Sequence, residues 1–302
     1  MLSPYIFDIK RYAINDGPGI RVTIFFKGCP LSCLWCHNPE SISAHPQKMY
    51  SSAKCIGCGE CVKACPNAAC TLTEDGIITD PGKCDLNGAC ARLCPTLATE
   101  ISGQQYTISE LMKIIEKERH LFDQSGGGVT LSGGEPLLYP EFLGQLLQQC
   151  GERSIHRTID TCGYVKTENL LTAAEQTDLF LYDFKIFDSD RHKQFTGVDN
   201  RLILSNLQAL ADSGASIQIR IPLIHGVNSD CANIEQTAAF IAALSGEKKT
   251  VNLLPYHAIA THKHTKLGSQ YLANDLEEPN ETELQQACRI FEKQGLTTII
   301  GG

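Results

Sequence analysis

Residues 20–40 read IRVTIFFKGCPLSCLWCHNPE, an apolar segment that runs directly into three closely spaced cysteines. The β-branched and aromatic residues predict a buried strand, and Cys29, Cys33 and Cys36 follow it with C-x3-C-x2-C spacing. Three thiolates leave one iron of a [4Fe–4S] cluster without a protein ligand, and a substrate can bind there. The spacing alone also fits a zinc knuckle or three unrelated buried thiols, so the rest of the chain has to decide.

Beyond residue 105, short apolar segments alternate with amphipathic ones. The first predicted helix, TISELMKIIEKERHLF (107–122), opens with the capping-box pair Thr107 and Glu110. This alternation predicts parallel βαβ units and an α/β fold. The predicted strands are 128–132, 156–160, 178–183, 216–221, 250–254 and 296–300, and the further helices are 140–150, 168–176, 200–212, 231–244 and 280–294.

Polar residues and glycines stand at or just past the ends of these strands. Active sites of parallel α/β folds are built there, because the carboxyl ends of the strands meet on one side of the sheet. Each residue taken singly is also typical of a solvated loop or a helix cap, but together they indicate a site. They are Gly133, Gly134 and Glu135 in TLSGGEP, Asp160 and Thr161, Asp183 and Lys185, Arg220, and His257.

With the cysteine motif, these segments resemble the radical S-adenosylmethionine (SAM) superfamily, and within it the activating proteins of glycyl radical enzymes. The resemblance covers nearly the whole chain and rests on NDGPGIR (15–21), GCPLSCLWCHNPES (28–41), SGGGVTLSGGEP (125–136), DTCGY (160–164), DFK (183–185) and LLPYH (253–257). It implies a partial (β/α)6 TIM-like radical SAM barrel, with a [4Fe–4S] cluster on Cys29, Cys33 and Cys36 whose open iron binds SAM.

The resemblance also implies roles for single residues. Lys185 and Asp16 would be the catalytic residues, with Asp16 facing the glycine loop of the partner. Asp160, Thr161 and Asp183 would hold a monovalent cation beside the SAM carboxylate. The SAM-binding residues would be Trp35, Gly133, Gly134, Glu135, Asp160, Lys185, Arg220 and His257.

Between these motifs, residues 51–102 carry eight cysteines. The run CIGCGECVKACP (55–66) has the bacterial ferredoxin spacing C-x2-C-x2-C-x3-C-P. CDLNGACARLCP (84–95) repeats it, except that Asn87 stands where a cysteine is expected. We therefore predict a ferredoxin-like insert at 51–102 with two auxiliary clusters, and a radical SAM core formed by 1–50 and 103–302.

In two-cluster ferredoxins the fourth cysteine of each run serves the other cluster. One auxiliary cluster is thus expected on Cys55, Cys58, Cys61 and Cys94, and the other on Cys65, Cys84 and Cys90 with its fourth ligand open. Cys70, an oxygen ligand or water would complete the second cluster, or it would be a three-iron or labile one. A zinc-binding module is the alternative for the insert as a whole.

The remaining cysteines, Cys150, Cys162, Cys231 and Cys288, have no such neighbours, and we expect them to be buried as small apolar side chains.

Composition limits the classes of partner and location. The formal net charge of −8 argues against a phosphate-dominated nucleic-acid interface. No apolar run has the length of a signal peptide or a membrane span. Fifteen cysteines in such a chain indicate iron–sulfur or metal ligands in a reducing compartment, so we expect a cytoplasmic protein.

The sequence thus predicts an enzyme that cleaves SAM reductively and removes a Cα hydrogen from a glycine of a partner glycyl radical enzyme. A flavodoxin or ferredoxin-type protein would supply the electron, and we expect a monomer. Two alternatives are a radical SAM enzyme acting on a small molecule and a multi-cluster electron-transfer protein. The motifs leave the identity of the partner open.

Overall fold

The computed structural model describes residues 3–247, 249–273 and 275–301. The strands are β1 (Tyr5–Ala13), β2 (Arg21–Phe26), β3 (Gln47–Tyr50), β4 (Cys70–Thr73), β5 (Gly76–Thr79), β6 (Thr99–Ser102), β7 (Gln104–Gln105), β8 (Gly128–Gly133), β9 (His156–Thr161), β10 (Leu179–Asp183), β11 (Ile217–Leu223), β12 (Thr250–Pro255) and β13 (Thr297–Ile300). The α-helices are α1 (Glu60–Lys63), α2 (Ala89–Arg92), α3 (Ile108–Glu116), α4 (Arg119–Ser125), α5 (Pro140–Gly151), α6 (Thr167–Ala174), α7 (Ser189–Thr196), α8 (Arg201–Asp212), α9 (Cys231–Ala242), α10 (Thr261–Leu267) and α11 (Glu281–Lys293).

Nine strands form one open sheet in the order β13-β12-β11-β10-β9-β8-β2-β1-β7. From β2 to β13 every neighbouring pair is parallel, whereas β1 and β7 are antiparallel additions at one edge. The predicted α/β fold with a parallel sheet is therefore confirmed, and all seven predicted strands are present. The parallel order places the carboxyl ends of these strands on one side of the sheet.

Buried and less buried side chains alternate along β11, so one face of the strand packs in the core and the other faces the site. Ile217, Ile219, Ile221 and Leu223 are buried against the helices, while Gln218, Arg220 and Pro222 alternate with them and are less buried. Successive strand side chains point to opposite faces, so Arg220 lies on the face away from the helices.

The buried guanidinium of Arg21 links the first three parallel strands. Its Nε donates to Thr130 Oγ1 (2.6 Å), and one terminal nitrogen donates to the Val129 carbonyl (2.6 Å) and to Thr158 Oγ1 (2.9 Å). The other donates to the Pro18 carbonyl (2.8 Å). Burial lowers the pKa of Arg21 to about 10, against the opposing effect of Asp16, so the group stays charged at neutral pH.

The predicted single helix over 107–122 is wrong, because the structure has two helices, α3 and α4, in this segment. The capping box of Thr107 and Glu110 is confirmed at the start of α3. The chain leaves the helical conformation at Glu118, whose buried carboxylate lies 3.5 Å from Arg11 on β1. The ion pair of Glu118 with Arg11 therefore lies at the break between the two helices, where periodicity predicted one continuous helix.

Residues 51–98 form a separate segment whose two ends are joined by the antiparallel pair β3 and β6. In this pair Gln47 lies opposite Ser102 and Tyr50 lies opposite Thr99. Within this segment β4 and β5 form a hairpin, and α1 and α2 are single turns. In the ranges given above, no helix has both the length and the apolar character of a membrane span.

Two glycine loops approach each other so closely that neither has room for a side chain. A Cβ on Gly127 would lie 1.8 Å from the Ile20 carbonyl oxygen, and one on Gly19 would lie 2.5 Å from the Gly127 nitrogen. By contrast, no heavy atom would lie within 4 Å of a Cβ on Gly144 in α5.

We therefore expect Gly127→Ala to destabilise the protein by about 1–3 kcal/mol through overpacking. Gly144→Ala is the matched control and should stabilise the protein by about 0.5–1 kcal/mol, because alanine restricts the unfolded chain and favours the helix. Anaerobic urea unfolding followed by circular dichroism measures both. Equal shifts of the two midpoints would contradict the close approach.

Candidate active site

A cavity of about 490 Å³ opens at the carboxyl ends of the parallel strands. Its walls combine the cysteine loop after β2 with residues that follow β8, β9, β10, β11 and β12. The site residues that line it are Asp16, Cys29, Cys33, Trp35, Cys36, Gly133, Gly134, Asp160, Thr161, Asp183, Lys185, Arg220 and His257.

The loop that carries Cys29, Cys33 and Cys36 is fixed by backbone hydrogen bonds to other segments of the chain. The Ser32 and Leu34 nitrogens donate to the carbonyls of Thr196 (2.9 Å) and Phe195 (3.0 Å), at the end of α7. The Cys29 nitrogen donates to the Ile42 carbonyl (3.1 Å). These bonds present the three thiols to the cavity from one side.

Burial governs the chemistry of these thiols. It raises the pKa of Cys33 to about 12 and that of Cys36 to about 11, so a metal that bound these thiols would have to displace their protons. A side-chain hydrogen bond between Cys29 and Cys162 lowers the pKa of Cys29 despite burial. Within the described ranges, no three His, Cys, Asp or Glu side chains converge closely enough to hold a single metal ion.

Two ion pairs line the same cavity. Lys185 Nζ is 3.0 Å from Asp183 Oδ2, and Arg220 is 3.3 Å from Asp160 Oδ2, which also accepts from Ser132 Oγ at 2.7 Å. Burial raises the pKa of Asp160 to about 6, although Arg220 opposes the shift. Burial opposes charge on Lys185, but Asp183 and Cys33 outweigh it and raise its pKa.

The Asp160–Arg220 pair leaves two buried polar atoms unsatisfied. Asp160 Oδ1 and Arg220 Nε are buried and have no hydrogen-bond partner. Unpaired buried donors and acceptors are costly, and each calls for an explanation such as a ligand. A polar ligand in the cavity would satisfy both atoms.

Glu135 lies behind the cavity wall. Its side chain is fully buried, with Oε1 accepting from the Leu137 nitrogen (3.2 Å). Oε2 accepts from Thr161 Oγ1 (2.8 Å) and from the nitrogen (2.9 Å) and thiol (3.0 Å) of Cys162. Burial raises the pKa of Glu135, and the bonds from Cys162 and Thr161 oppose it. The structure thus places Gly133 and Gly134, and not the Glu135 carboxylate, at the cavity.

The residues predicted as cation ligands are close in space, but all three already have partners. Asp183 Oδ2 accepts from Lys185 Nζ at 3.0 Å. The Thr161 hydroxyl donates to Glu135 and accepts from the Gly163 nitrogen (3.0 Å). One oxygen of Asp160 is bonded to Ser132 and Arg220.

The remaining predicted residues lie around the rim. Asp16 Oδ2 accepts from Thr23 Oγ1 (2.7 Å), and the Asp16 carbonyl accepts from Thr130 Oγ1 (2.6 Å), which fixes the DGPG turn. Trp35 is largely buried, with its ring 6.3 Å from Phe195. The side chain of His257 is half exposed, and its Nδ1 lies 3.0 Å from Glu278.

The helix α10 connects the cysteine loop to the chain beyond β12. Lys263 Nζ donates to Asn38 Oδ1 (2.7 Å) and to the buried carboxylate of Glu40 (2.7 Å), both just past Cys36. From the same helix, Lys266 lies 3.9 Å from Glu100 on β6. One short helix therefore contacts both the cysteine loop and the base of segment 51–98.

The cysteines of segment 51–98 surround two small pockets. Cys55, Cys58, Cys61 and Cys94 line one, which is the set predicted for the first auxiliary cluster. Cys65, Cys84 and Cys90 line the other together with Cys70, Asp85 and Asn87.

The four isolated cysteines divide in a way that sequence did not predict. Cys150 is buried, as expected, and its thiol lies 3.7 Å from Met112 Sδ. Cys162 is buried but lines the cavity beside Cys29, and its place within DTCGY was the available signal. Burial is wrong for Cys231, which is exposed at the start of α9, and Cys288 is only partly buried.

Comparisons with known proteins agree with this geometry. The family model of the Radical SAM superfamily matches residues 23–240. The chain is 44% identical over 304 aligned residues, covering 100% of both proteins, to the trans-4-hydroxy-L-proline dehydratase activating enzyme of Clostridioides difficile. It is 42% identical over 271 residues to the choline trimethylamine-lyase activating enzyme of Oleidesulfovibrio alaskensis, covering 88% of this chain and 87% of that one.

A solved structure is similar as well. The crystal structure of a domain of a pyruvate-formate lyase-activating enzyme from Bacteroides vulgatus shares 40% identity, with a TM-score of 0.51. The match covers 58% of this chain and 99% of that domain.

The four hydrogen bonds of the Glu135 carboxylate lead to a stability prediction. Glu135→Gln replaces an accepting oxygen with an NH2 group and leaves buried donors unpaired, which should cost about 1–3 kcal/mol. The control Glu235→Gln, on the exposed face of α9, should change the free energy of unfolding by less than about 0.5 kcal/mol. Urea unfolding of both variants tests this, and similar stabilities would contradict the role of Glu135 beneath the cavity.

Proposed function

This chain belongs to the radical SAM superfamily and, within it, to the activating enzymes of glycyl radical enzymes, and we propose how its residues carry out that activity. The observation that carries the proposal is one cavity in which three thiols face an incompletely paired aspartate and arginine. A site of this composition suits an iron–sulfur cluster on one side and a zwitterionic, nucleoside-bearing cofactor on the other.

We assign the cluster to Cys29, Cys33 and Cys36. Their loop is held by backbone bonds to α7, and Lys185 brings a positive charge close to Cys33, which compensates the negative charge of thiolates. Three protein ligands leave one iron free to bind SAM. When bound, the reduced cluster supplies the electron that splits SAM into methionine and a 5′-deoxyadenosyl radical, which takes a hydrogen atom from the Cα of a partner glycine.

The residues of the chain bind and orient SAM. The unsatisfied atoms Asp160 Oδ1 and Arg220 Nε offer an acceptor and a donor within the cavity. The Lys185 ammonium suits the methionyl carboxylate, and the Gly133–Gly134 backbone allows close approach of the methionyl amino group. Trp35 and His257 also line the cavity and would contact the adenosine of bound SAM.

Glu135 positions this wall without facing the cavity. Its carboxylate binds Thr161 and the Cys162 backbone, at the point where β9 leaves the sheet beside Asp160. Asp16 also lines the cavity, fixed by Thr23 and Thr130, and would face the glycine loop of a partner. A monovalent cation on Asp160, Asp183 and Thr161 would bind the second lone pair of the Thr161 hydroxyl, which donates to Glu135 and accepts from the Gly163 nitrogen.

The finer assignments belong to the same proposal. Residues 51–102 would form a ferredoxin-like insert with two auxiliary clusters, and residues 1–50 and 103–302 the core. A flavodoxin or ferredoxin-type protein would deliver electrons to a monomer in the cytoplasm. The fifteen cysteines are all unpaired thiols, which supports a reducing compartment.

The cluster assignment predicts the behaviour of a triple variant. The change Cys29→Ala, Cys33→Ala, Cys36→Ala should remove about four of the iron atoms per chain and abolish production of 5′-deoxyadenosine from SAM and dithionite. The control Cys231→Ala, at the exposed start of α9, should retain both. Anaerobic iron analysis and chromatography measure the outcome, and undiminished 5′-deoxyadenosine in the triple variant would overturn the assignment.

The partner proposal concerns a protein substrate. The relative of 44% identity activates a trans-4-hydroxy-L-proline dehydratase, so we propose a glycyl radical enzyme of this kind as the first partner to test. Wild-type protein, SAM and reductant should produce a glycyl radical signal in that dehydratase by electron paramagnetic resonance (EPR). The same mixture with a choline trimethylamine-lyase is the specificity control. A signal in the lyase alone would move the assignment to that class.

A further inference from the structure

The second thiol-lined pocket of segment 51–98 contains a cysteine that lies outside both ferredoxin runs. Cys65, Cys84 and Cys90 line this pocket, as their positions in the runs predict, and Cys70 completes the ring. Cys70 opens β4 and is only 4% exposed.

Local backbone geometry brings Cys70 next to Cys65. The chain turns back after Cys65, whose carbonyl accepts from the Ala68 nitrogen at 3.1 Å, and Ala68 adopts a left-handed conformation (φ 48°). The Ala69 nitrogen then donates to Cys65 Sγ at 3.2 Å, and the Cys70 thiol reaches the same sulfur. The pairing of Cys70 with Thr79 on β5 fixes the far side of the turn.

The oxygen ligands that sequence left open are engaged elsewhere. Asn87 Oδ1 accepts from the nitrogen of Ala89 (2.9 Å), the first residue of α2. Its side-chain nitrogen donates to Asp85 Oδ1 (2.5 Å), which also accepts from the Asn87 backbone nitrogen (3.2 Å). Both side chains are exposed, and Asn87 Oδ1 and Asp85 Oδ1 accept hydrogen bonds within the loop that holds Cys84 and Cys90.

A lysine from the base of the segment supports a sulfur ligand at position 70. Lys48 on β3 places Nζ 3.1 Å from Cys70 Sγ and 2.7 Å from Thr79 Oγ1. The same ammonium interacts electrostatically with Cys84 and Cys90. Hydrogen bonds and charge near cluster sulfurs are among the means by which proteins set cluster potentials.

Resting on the proposed function of the insert, we propose that Cys70 is the fourth thiolate of the second auxiliary cluster, making it a complete [4Fe–4S] site on Cys65, Cys70, Cys84 and Cys90. Cys70 thereby replaces the cysteine that Asn87 displaces from the second ferredoxin run. The short turn from Cys65 to β4 delivers the missing ligand from the chain just after the first run.

The test uses the full chain in the Cys29→Ala, Cys33→Ala, Cys36→Ala background, in which only the insert can hold clusters. This parent should contain about eight iron atoms per chain. Adding Cys70→Ala should lower the content to about four, or to about seven with a three-iron EPR signal. Adding Asn87→Ala or the remote Cys231→Ala should leave eight. Unchanged iron and EPR spectra in the Cys70→Ala protein would overturn the proposal, as would a loss confined to Asn87→Ala.

Cys70→Ser covers the case in which the alanine variant does not fold, because serine keeps the size of the side chain. Oxygen in place of sulfur should change the EPR g-values of one of the two clusters or remove its signal, and an unchanged spectrum counts against the proposal. A parent that holds no iron would instead refute the insert as a cluster domain. Cleavage of SAM by the wild type, measured separately, reports on the catalytic assignment alone.

Discussion

The buried guanidinium of Arg21 is the interaction on which the arrangement of the site depends. It ties the start of β2 to β8 and β9 and to the turn that carries Asp16. These strands end at the cysteine loop, at Gly133 and at Asp160, so a shift of one strand against the next would move the thiols relative to the rest of the cavity. A charged group with this many partners specifies one register, because any other leaves donors or carbonyls buried and unpaired.

Sequence predicted the parallel sheet because its strands are rich in β-branched and aromatic residues and its helices have regular apolar spacing. It missed β1, in which only Ile6 and Ala13 are buried, and α7, whose sequence SDRHKQFT has no apolar face. Capping defines α7: the Asp188 carboxylate accepts from the Arg191 nitrogen at 2.8 Å, and Gly197 ends the helix in a left-handed conformation.

The sequence predicted which residues line the site, but it did not predict which way their side chains point. Motif spacing identified the cysteines and the strand-end residues that line the cavity. It did not indicate that Glu135 turns inward while the neighbouring glycines face the cavity, because that choice depends on Thr161 and Cys162, which come from another strand. For the same reason Cys162 looked like an ordinary buried thiol, and Cys70 was one of several alternatives until tertiary structure placed it beside Lys48.

The contacts of α10 and α7 with the cysteine loop have a consequence for the order of assembly. Proteins are made from the amino terminus, and their segments fold as they emerge. Segment 51–98 is closed by β3 and β6, so all its cysteines and their scaffold exist once residue 102 has been synthesised. The loop of Cys29, Cys33 and Cys36 emerges earlier, yet its backbone partners lie at Phe195 and Thr196, and its lysine at Lys263. The three-cysteine loop, although it emerges first, is therefore completed last, only after residue 263 has been synthesised.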